Sequence, residues 1–173
     1  IDCSQNGSVV AYTHSLSPLP VNYAYYGGVY SPTLDRIYFV PRNQAPEANW
    51  HYIDCSQNGT VVAYTHSQSP VPVNNAYEGG VYAPTLDRIY FVPRSQAPQA
   101  NWHYIDCSQN GAVVAYTHSL SPLPVGSAYV GGVYAPTLDR IYFVPHGQAP
   151  QANWHYIDCS QNGAVVACAH SLT

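Results

Sequence analysis

The chain has few charged residues and no lysine. Only 8% of its 173 residues are charged, with five basic residues against nine acidic ones. The basic residues are all arginines: Arg36, Arg42, Arg88, Arg94 and Arg140. Because a nucleic-acid-binding surface needs a dense basic stripe, we expect no nucleic-acid partner. Low surface charge also gives little repulsion between copies, which favours self-association.

Long apolar runs are also missing. No stretch of 18 apolar residues occurs, and no basic segment followed by an apolar one begins the chain. These absences predict no membrane insertion and no retained secretory leader. Apolar residues still make up 46% of the chain and aromatic residues 13%, which is enough for one sizeable core or a row of small ones.

The sequence lacks the motifs of catalysis. No paired carboxylates occur at a fixed spacing, no serine has a nucleophile-elbow context, and no glycine-rich phosphate loop precedes a helix. The eight histidines do not show the spacing of a zinc site. We therefore expect no enzyme activity, no catalytic residues, no metal site and no cofactor.

What the sequence does contain is a repeat with a fixed period of 52 residues. The motif Ile-Asp-Cys-Ser-Gln-Asn-Gly begins at Ile1, Ile53, Ile105 and Ile157. It divides the chain into repeats 1–52, 53–104 and 105–156, and a partial repeat 157–173. A period near 50 is typical of propellers, solenoids and arrays, whose units bury apolar faces only against their neighbours. We expect a single repeat array.

Each repeat contains the signals of two hairpins. Residues 27–31 and 36–40 are rich in aromatic and β-branched side chains and flank a turn with Pro32 and Asp35. This pattern predicts the first hairpin, with strands a and b. The proline-rich linkers around residues 17–20 and 41–46 are expected to be loops, because proline cannot donate to a ladder.

The second hairpin is signalled more strongly. Residues 50–55 and 60–65 flank Asn58-Gly59, and Asn-Gly between apolar runs favours a hairpin turn. These strands are c and d. Four strands per unit make one propeller blade, and apolar residues on both faces of each strand predict that the blades stack. The expected fold is all-β, with 52-residue four-stranded repeats stacked as β-propeller-type blades.

These segments resemble the YVTN-type β-propeller repeat, known from surface-layer and cell-surface proteins. Residues 28–32 and 36–40 are similar to its first strand pair, and residues 52–54 followed by 61–63 are similar to its second. The resemblance covers more than half of each repeat. It implies stacked blades and an extracellular, cell-surface or virion-surface location, and it says little about activity.

The chain departs from that family at two positions and in its linkers. Pro41 stands where the family favours a polar residue, Cys55 stands where it favours threonine, and both linkers are longer. A β-solenoid is the alternative, because coils with Tyr and Asn at fixed positions could stack at about 4.8 Å. WD40 and kelch blades are disfavoured, since the WD dipeptide is absent and Gly27-Gly28 lacks the kelch spacing of Tyr and Trp.

The predicted strands do not form whole blades. The chain order is one c-d hairpin followed by a-b-c-d three times, and Ile1 falls inside a strand c. Propellers close with roughly four to eight blades, so three cannot form a ring alone. We therefore expect either a segment of a longer array or a structural protein that assembles with copies of itself. Ring closure or a surface filament would arise by blade stacking or hairpin complementation.

The Asn-Trp-His cluster is the candidate binding site. Its copies are Asn49, Trp50, His51, Asn101, Trp102, His103, Asn153, Trp154 and His155. An aromatic face beside an amide can stack on and hydrogen-bond a sugar, which indicates a multivalent, lectin-like glycan binder as the alternative function. Packing of the tryptophans in the blade core is the other interpretation. Asn6 and Asn58 also match the glycosylation pattern at exposed hairpin tips.

Cysteine usage gives a weak signal of location. Four cysteines occupy equivalent positions, and Cys168 replaces a repeated tyrosine. Equivalent residues of stacked blades lie about 10 Å apart, which exceeds the disulfide limit of about 7 Å. We expect these thiols to be reduced packing residues, with an intermolecular bridge through Cys168 as the alternative. Unpaired cysteines favour a reducing interior, whereas the family resemblance favours the cell surface.

Overall fold

The computed structural model describes residue 14 and residues 16–170, and within them the chain is all-β with no α-helix. Twelve strands form three four-stranded sheets. Sheet 1 contains β1 (Tyr25–Ser31), β2 (Arg36–Pro41), β3 (Asn49–Asp54) and β4 (Thr60–Thr65). Sheet 2 contains β5 (Tyr77–Ala83), β6 (Arg88–Pro93), β7 (Asn101–Asp106) and β8 (Ala112–Thr117). Sheet 3 contains β9 (Tyr129–Ala135), β10 (Arg140–Pro145), β11 (Asn153–Asp158) and β12 (Ala164–Ala169).

Each sheet is an antiparallel meander whose strands are hydrogen-bonded in chain order. The four strands correspond to a, b, c and d, so the prediction of four-stranded all-β repeats is confirmed. The β-solenoid alternative is wrong, because neighbouring strands within a unit run antiparallel. The boundary of the sequence repeat at Ile53 falls inside β3. The c-d hairpin expected near the start of the chain lies outside the described residues.

The hairpin between β3 and β4 contains the predicted Asn-Gly turn. A short 3-10 turn at Cys55–Gln57 precedes Asn58 and Gly59, which adopt φ of 55° and 78°. These left-handed conformations favour asparagine and glycine. The Gly59 amide donates to the Asp54 carbonyl at 3.0 Å, and this bond closes the hairpin.

The second strand of each sheet extends further than the sequence indicates. We expected Pro41 to lie in a loop, but it is the last residue of β2 and stands opposite Tyr25. A bulge between Tyr25 and Gly28 adjusts the register at this point. Proline is tolerated at a strand end, and on the β3 side the register has already ended at Tyr38.

The three sheets stack face to face, and alternate residues of each second strand point to opposite neighbours. We call the face with isoleucine and phenylalanine the front face and the face with tyrosine and valine the back face. In β6, Ile89 and Phe91 pack against sheet 1, whereas Tyr90 and Val92 pack against sheet 3, and all four are essentially fully buried. The back face of one sheet therefore meets the front face of the next.

The first strands β1, β5 and β9 are edge strands and lie side by side along one edge of the stack. Glycine permits this close approach. A Cβ atom at Gly132 of β9 would lie 3.0 Å from Val81 Cγ2 and 3.3 Å from the Tyr142 carbonyl oxygen. At Gly131 the nearest such atom is 4.0 Å away. The two adjacent glycines thus differ in how tightly neighbouring atoms surround them.

We predict that Gly132→Ala destabilises the protein by about 1–3 kcal/mol, because the added methyl group forces Val81 and the backbone of β10 to move. Gly131→Ala is the matched control and should change the free energy of unfolding by less than about 0.5 kcal/mol. Urea denaturation of both variants measures the difference. Equal destabilisation by the two substitutions would contradict the close approach of β5 and β9.

Candidate functional site

The tryptophans of the Asn-Trp-His cluster belong to the core between sheets. Trp50 and Trp102 are fully buried on the back faces of sheets 1 and 2. Trp50 packs edge-on against Phe91 of the next sheet, with ring centroids 5.8 Å apart. Its Nε1 donates to the Gln44 carbonyl at 3.0 Å. A sugar therefore cannot stack on these two rings. Trp50 and Trp102 pack in the core between sheets, which is the other interpretation given by the sequence.

The histidines of the cluster are also buried and hydrogen-bonded. The Tyr77 hydroxyl donates to His103 Nδ1 at 2.6 Å, and His103 Nε2 lies 3.2 Å from the Pro70 carbonyl oxygen. A carbonyl only accepts, so Nε2 carries a proton. Burial lowers the pKa of the ring, which is therefore neutral at pH 7, and Nδ1 accepts from the Tyr77 hydroxyl. The Tyr25–His51 and Tyr129–His155 pairs repeat the first contact. Burial lowers the pKa of His103 and of His155 to about 4.

The asparagines of the cluster connect strands c and d. The Thr65 hydroxyl donates to Asn49 Oδ1 at 2.8 Å, and Thr117 makes the same bond to Asn101 at 2.7 Å. In sheet 3, Asn153 stands opposite Ala169, which has no hydroxyl to donate. Trp154 is only half-buried, because no described sheet covers the back face of sheet 3. The cluster is thus a repeated packing element, and its third copy lies at an open end.

Polar contacts between sheets were missed by sequence reasoning. Arg36 Nη1 donates to Asn110 Oδ1 at 3.1 Å, and Arg88 makes the same bond to Asn162 at 3.0 Å. The partners are 74 residues apart in both pairs. Only the repetition of this spacing in the sequence could have suggested them.

Two further contacts recur at each junction. The Thr33 hydroxyl donates to Asp87 at 2.9 Å, and Thr85 donates to Asp139 at 2.7 Å. The Tyr38 ring packs directly on Gly111 of the Asn-Gly turn, where any added Cβ would overlap its hydroxyl. These turns therefore serve as docking points for the preceding sheet as well as hairpin connections.

Asn58, the described glycosylation candidate, is exposed in the turn of sheet 1. Its equivalents Asn110 and Asn162 accept the arginine bonds of a preceding sheet, and no described arginine reaches Asn58. Asn6 lies outside the described residues. Glycosylation at these positions stays a prediction.

The two ends of the stack carry the apolar residues of the internal junctions, except that Cys168 replaces the tyrosine of the fourth strand, and both ends are open among the described residues. Val144 on the back face of sheet 3 is 47% exposed, whereas its equivalents Val40 and Val92 are fully buried. Ile37 and Phe39 on the front face of sheet 1 are half-buried, whereas Ile89 and Phe91 are fully buried. We call these surfaces the back end and the front end. They are the candidate functional site.

The cysteines and histidines form no reactive cluster in the described part of the chain. Cys55, Cys107, Cys159 and Cys168 are free thiols. Burial raises the pKa of Cys107 to about 11 and that of Cys159 to about 12, so both stay protonated at neutral pH. Across residue 14 and residues 16–170, no group of three or more His, Cys, Asp or Glu side chains is placed to hold a metal ion.

No helix in the described residues has the length and apolar character needed to cross a membrane. Searches with family models, against curated proteins and against solved structures found no match to this chain.

The buried histidines make stability depend on pH. Unfolded His103 binds a proton near pH 6.5, whereas the folded chain resists protonation down to about pH 4. The unfolded state therefore binds more protons in this window, and stability falls as the pH drops through it. We predict that His103→Asn reduces the loss of unfolding free energy between about pH 7 and pH 4 by about 1–3 kcal/mol.

Urea denaturation across that pH range measures the effect. The exposed residue His146, replaced as His146→Asn, is the matched control. The prediction fails if both substitutions change the pH dependence equally.

Proposed function

We propose that this chain is a non-enzymatic structural protein that assembles with copies of itself head to tail, the back end of one copy against the front end of the next. The observation that carries the proposal is the equivalence between the open ends and the internal junctions. The tyrosine, valine and tryptophan that a back face uses to bury the next front face recur at the back end as Tyr142, Val144 and Trp154. The tyrosine of the fourth strand does not recur there, because cysteine replaces it in β12. Back and front faces already cover each other at the junctions within one chain. The same contact can therefore form between the back end of one copy and the front end of the next.

The apolar part of the contact follows from the repeat. Trp50 packs on Phe91 and Trp102 packs on Phe143 at nearly the same distance, 5.8 and 5.9 Å. The next partner in this series for Trp154 is Phe39 of a second copy. Burying the half-covered Trp154 and the exposed Val144 removes apolar surface from water, at about 25 cal/mol per Å².

The polar part is complementary in the same direction. Arg140, the equivalent of Arg36 and Arg88, bonds to no asparagine of another sheet among the described residues. Asn58, the equivalent of Asn110 and Asn162, accepts from no described arginine. In the head-to-tail arrangement Arg140 reaches Asn58 of the next copy, and Thr137 reaches its Asp35. These contacts specify the orientation, because a back end placed against another back end would pair arginine with arginine.

A heterologous contact of this kind closes into a ring or continues as a filament, depending on the rotation between copies. The resemblance to surface-layer propeller repeats supports an extracellular or cell-surface setting for such an assembly. Hairpin complementation is the second assembly mode expected from the sequence. It depends on residues 1–12, which lie outside the described residues.

Two variants, each with one end blocked by a charge, test the proposal. Val144→Asp places a charge on the back end, and Ile37→Glu places one on the front end. We expect each variant alone to be monomeric by light scattering at micromolar concentration, while the unmodified chain forms larger species. An equimolar mixture should form a dimer, because each variant keeps one intact end.

The control is Leu123→Asp, which replaces an apolar residue of similar exposure, 43%, in the loop between β8 and β9. It should assemble like the unmodified chain. Far-ultraviolet circular dichroism and cooperative unfolding verify that every variant is folded. A monomeric unmodified chain, or a mixture that stays monomeric, would show that the ends do not bind each other.

A further inference from the structure

Two equivalent clefts lie between the fourth strands of adjacent sheets. The first cleft lies between β4 and β8 and has a volume of about 250 Å³, and the second lies between β8 and β12 with about 280 Å³. The first is bounded by residues 64–68 and 111–113. The second is bounded by residues 116–119 and 163–165. Both lie inside one chain, away from the front and back ends.

Each cleft contains buried polar groups without a hydrogen-bond partner of normal geometry among the described residues. In the second cleft these are the Tyr116 hydroxyl and the ring nitrogens of His118. His118 is only 8% exposed and packs on Trp102 at 4.3 Å between ring centroids. When one ring nitrogen of His118 donates to the nearby Gln99 carbonyl, the other ring nitrogen still has no hydrogen-bond partner. Buried polar groups without partners in a cleft mark a position for a polar ligand group.

The first cleft shows which ligand group fits. Gln68 Oε1 accepts from the Ala115 amide at 2.8 Å, and Gln68 Nε2 donates to the Val113 carbonyl. These two backbone groups face outward on the edge of β8, where an added strand would bond. The side-chain amide of Gln68 thus makes the two bonds that the N–H and C=O groups of one residue in a neighbouring strand would make.

The second cleft has the same edge but no internal amide. Leu120 stands at the position of Gln68 one period later, and it packs against the core between sheets 2 and 3 instead of bounding the cleft. The corresponding backbone groups on β12 are the Val165 carbonyl and the Ala167 amide. No described side chain bonds to either of them. One substitution between repeats has therefore left the edge of β8 bonded to a side-chain amide and the same edge of β12 without such a bond among the described residues.

We propose that the second cleft binds an amide group, which accepts from the Ala167 amide and donates to the Val165 carbonyl as the Gln68 amide does on β8. Two sources supply this chemistry. One is an extended peptide that adds to the edge of β12 and supplies the N–H and C=O groups of one residue, and the other is the side-chain amide of a glutamine or asparagine. This binding goes beyond the assembly of copies and does not depend on it.

Hydrogen exchange read by mass spectrometry, with fragmentation to locate the Ala167 amide, tests the proposal. The probes are acetyl-tetraalanine N-methylamide, which carries only secondary backbone amides, and propionamide, which carries only a primary amide. At millimolar concentrations we expect at least one probe to slow the exchange of Ala167 in a saturable way, by about fivefold at saturation. The more effective probe identifies the source.

Two reciprocal variants give the controls. Leu120→Gln supplies an internal amide to β12, so Ala167 should be protected about fivefold without any probe and should no longer respond to one. Gln68→Leu removes the amide from β8, so Ala115 should lose its protection and gain a response to the same probe. Repeating the series in the Val144→Asp variant separates this result from the outcome of the assembly test.

The proposal is overturned if neither probe slows Ala167 exchange in the unmodified chain. It is also overturned if the effect of a probe on Ala167 persists unchanged in Leu120→Gln, because the amide would then bind somewhere else.

Discussion

Every sheet in this chain has two apolar faces, and burial of both faces is the constraint on which the rest of the structure depends. In β6 the alternation of the strand sends Ile89 and Phe91 to one side and Tyr90 and Val92 to the other, and none of the four is more than 1% exposed. Burying one such side chain contributes about 1.5–3 kcal/mol relative to its exposure. A four-stranded sheet in isolation would lose this contribution on both sides. Stability therefore belongs to the junctions between sheets more than to the sheets themselves.

The junctions also have a direction. Apolar packing alone would allow many relative rotations, but Arg36, Thr33 and Tyr38 each find a partner on a turn or strand end of the next sheet. The same three contacts recur with Arg88, Thr85 and Tyr90 at the second junction. Donors lie on back faces and acceptors on front faces. A stack built this way has two different ends, which is why an assembly of copies would be head to tail rather than symmetric.

The candidate site was partly accessible from the sequence. The imbalance between hairpins indicated that apolar faces would be left over, and the structure locates such faces at Val144 and at Ile37. The Asn-Trp-His cluster was harder to interpret, because both faces of strand c are apolar and periodicity could not show which face a neighbouring sheet covers. Only the stack shows that Trp50 lies under Phe91. The polar clefts were invisible in the sequence, since Tyr116 and His118 become neighbours of Val165 only when sheets 2 and 3 pack.

The sequence by itself determined the period, the all-β class and both hairpins of each unit. Asn-Gly and Pro-Asp turns, aromatic runs and alternation are local properties, so they act over a few residues and can be identified without knowledge of the fold. The tertiary structure decided which copy of a repeated residue is buried and which is open. Trp102 and Trp154 have the same local sequence, yet Trp102 is fully buried and Trp154 is half-exposed. The difference comes from whether another sheet packs on the same face, and no local pattern contains that information.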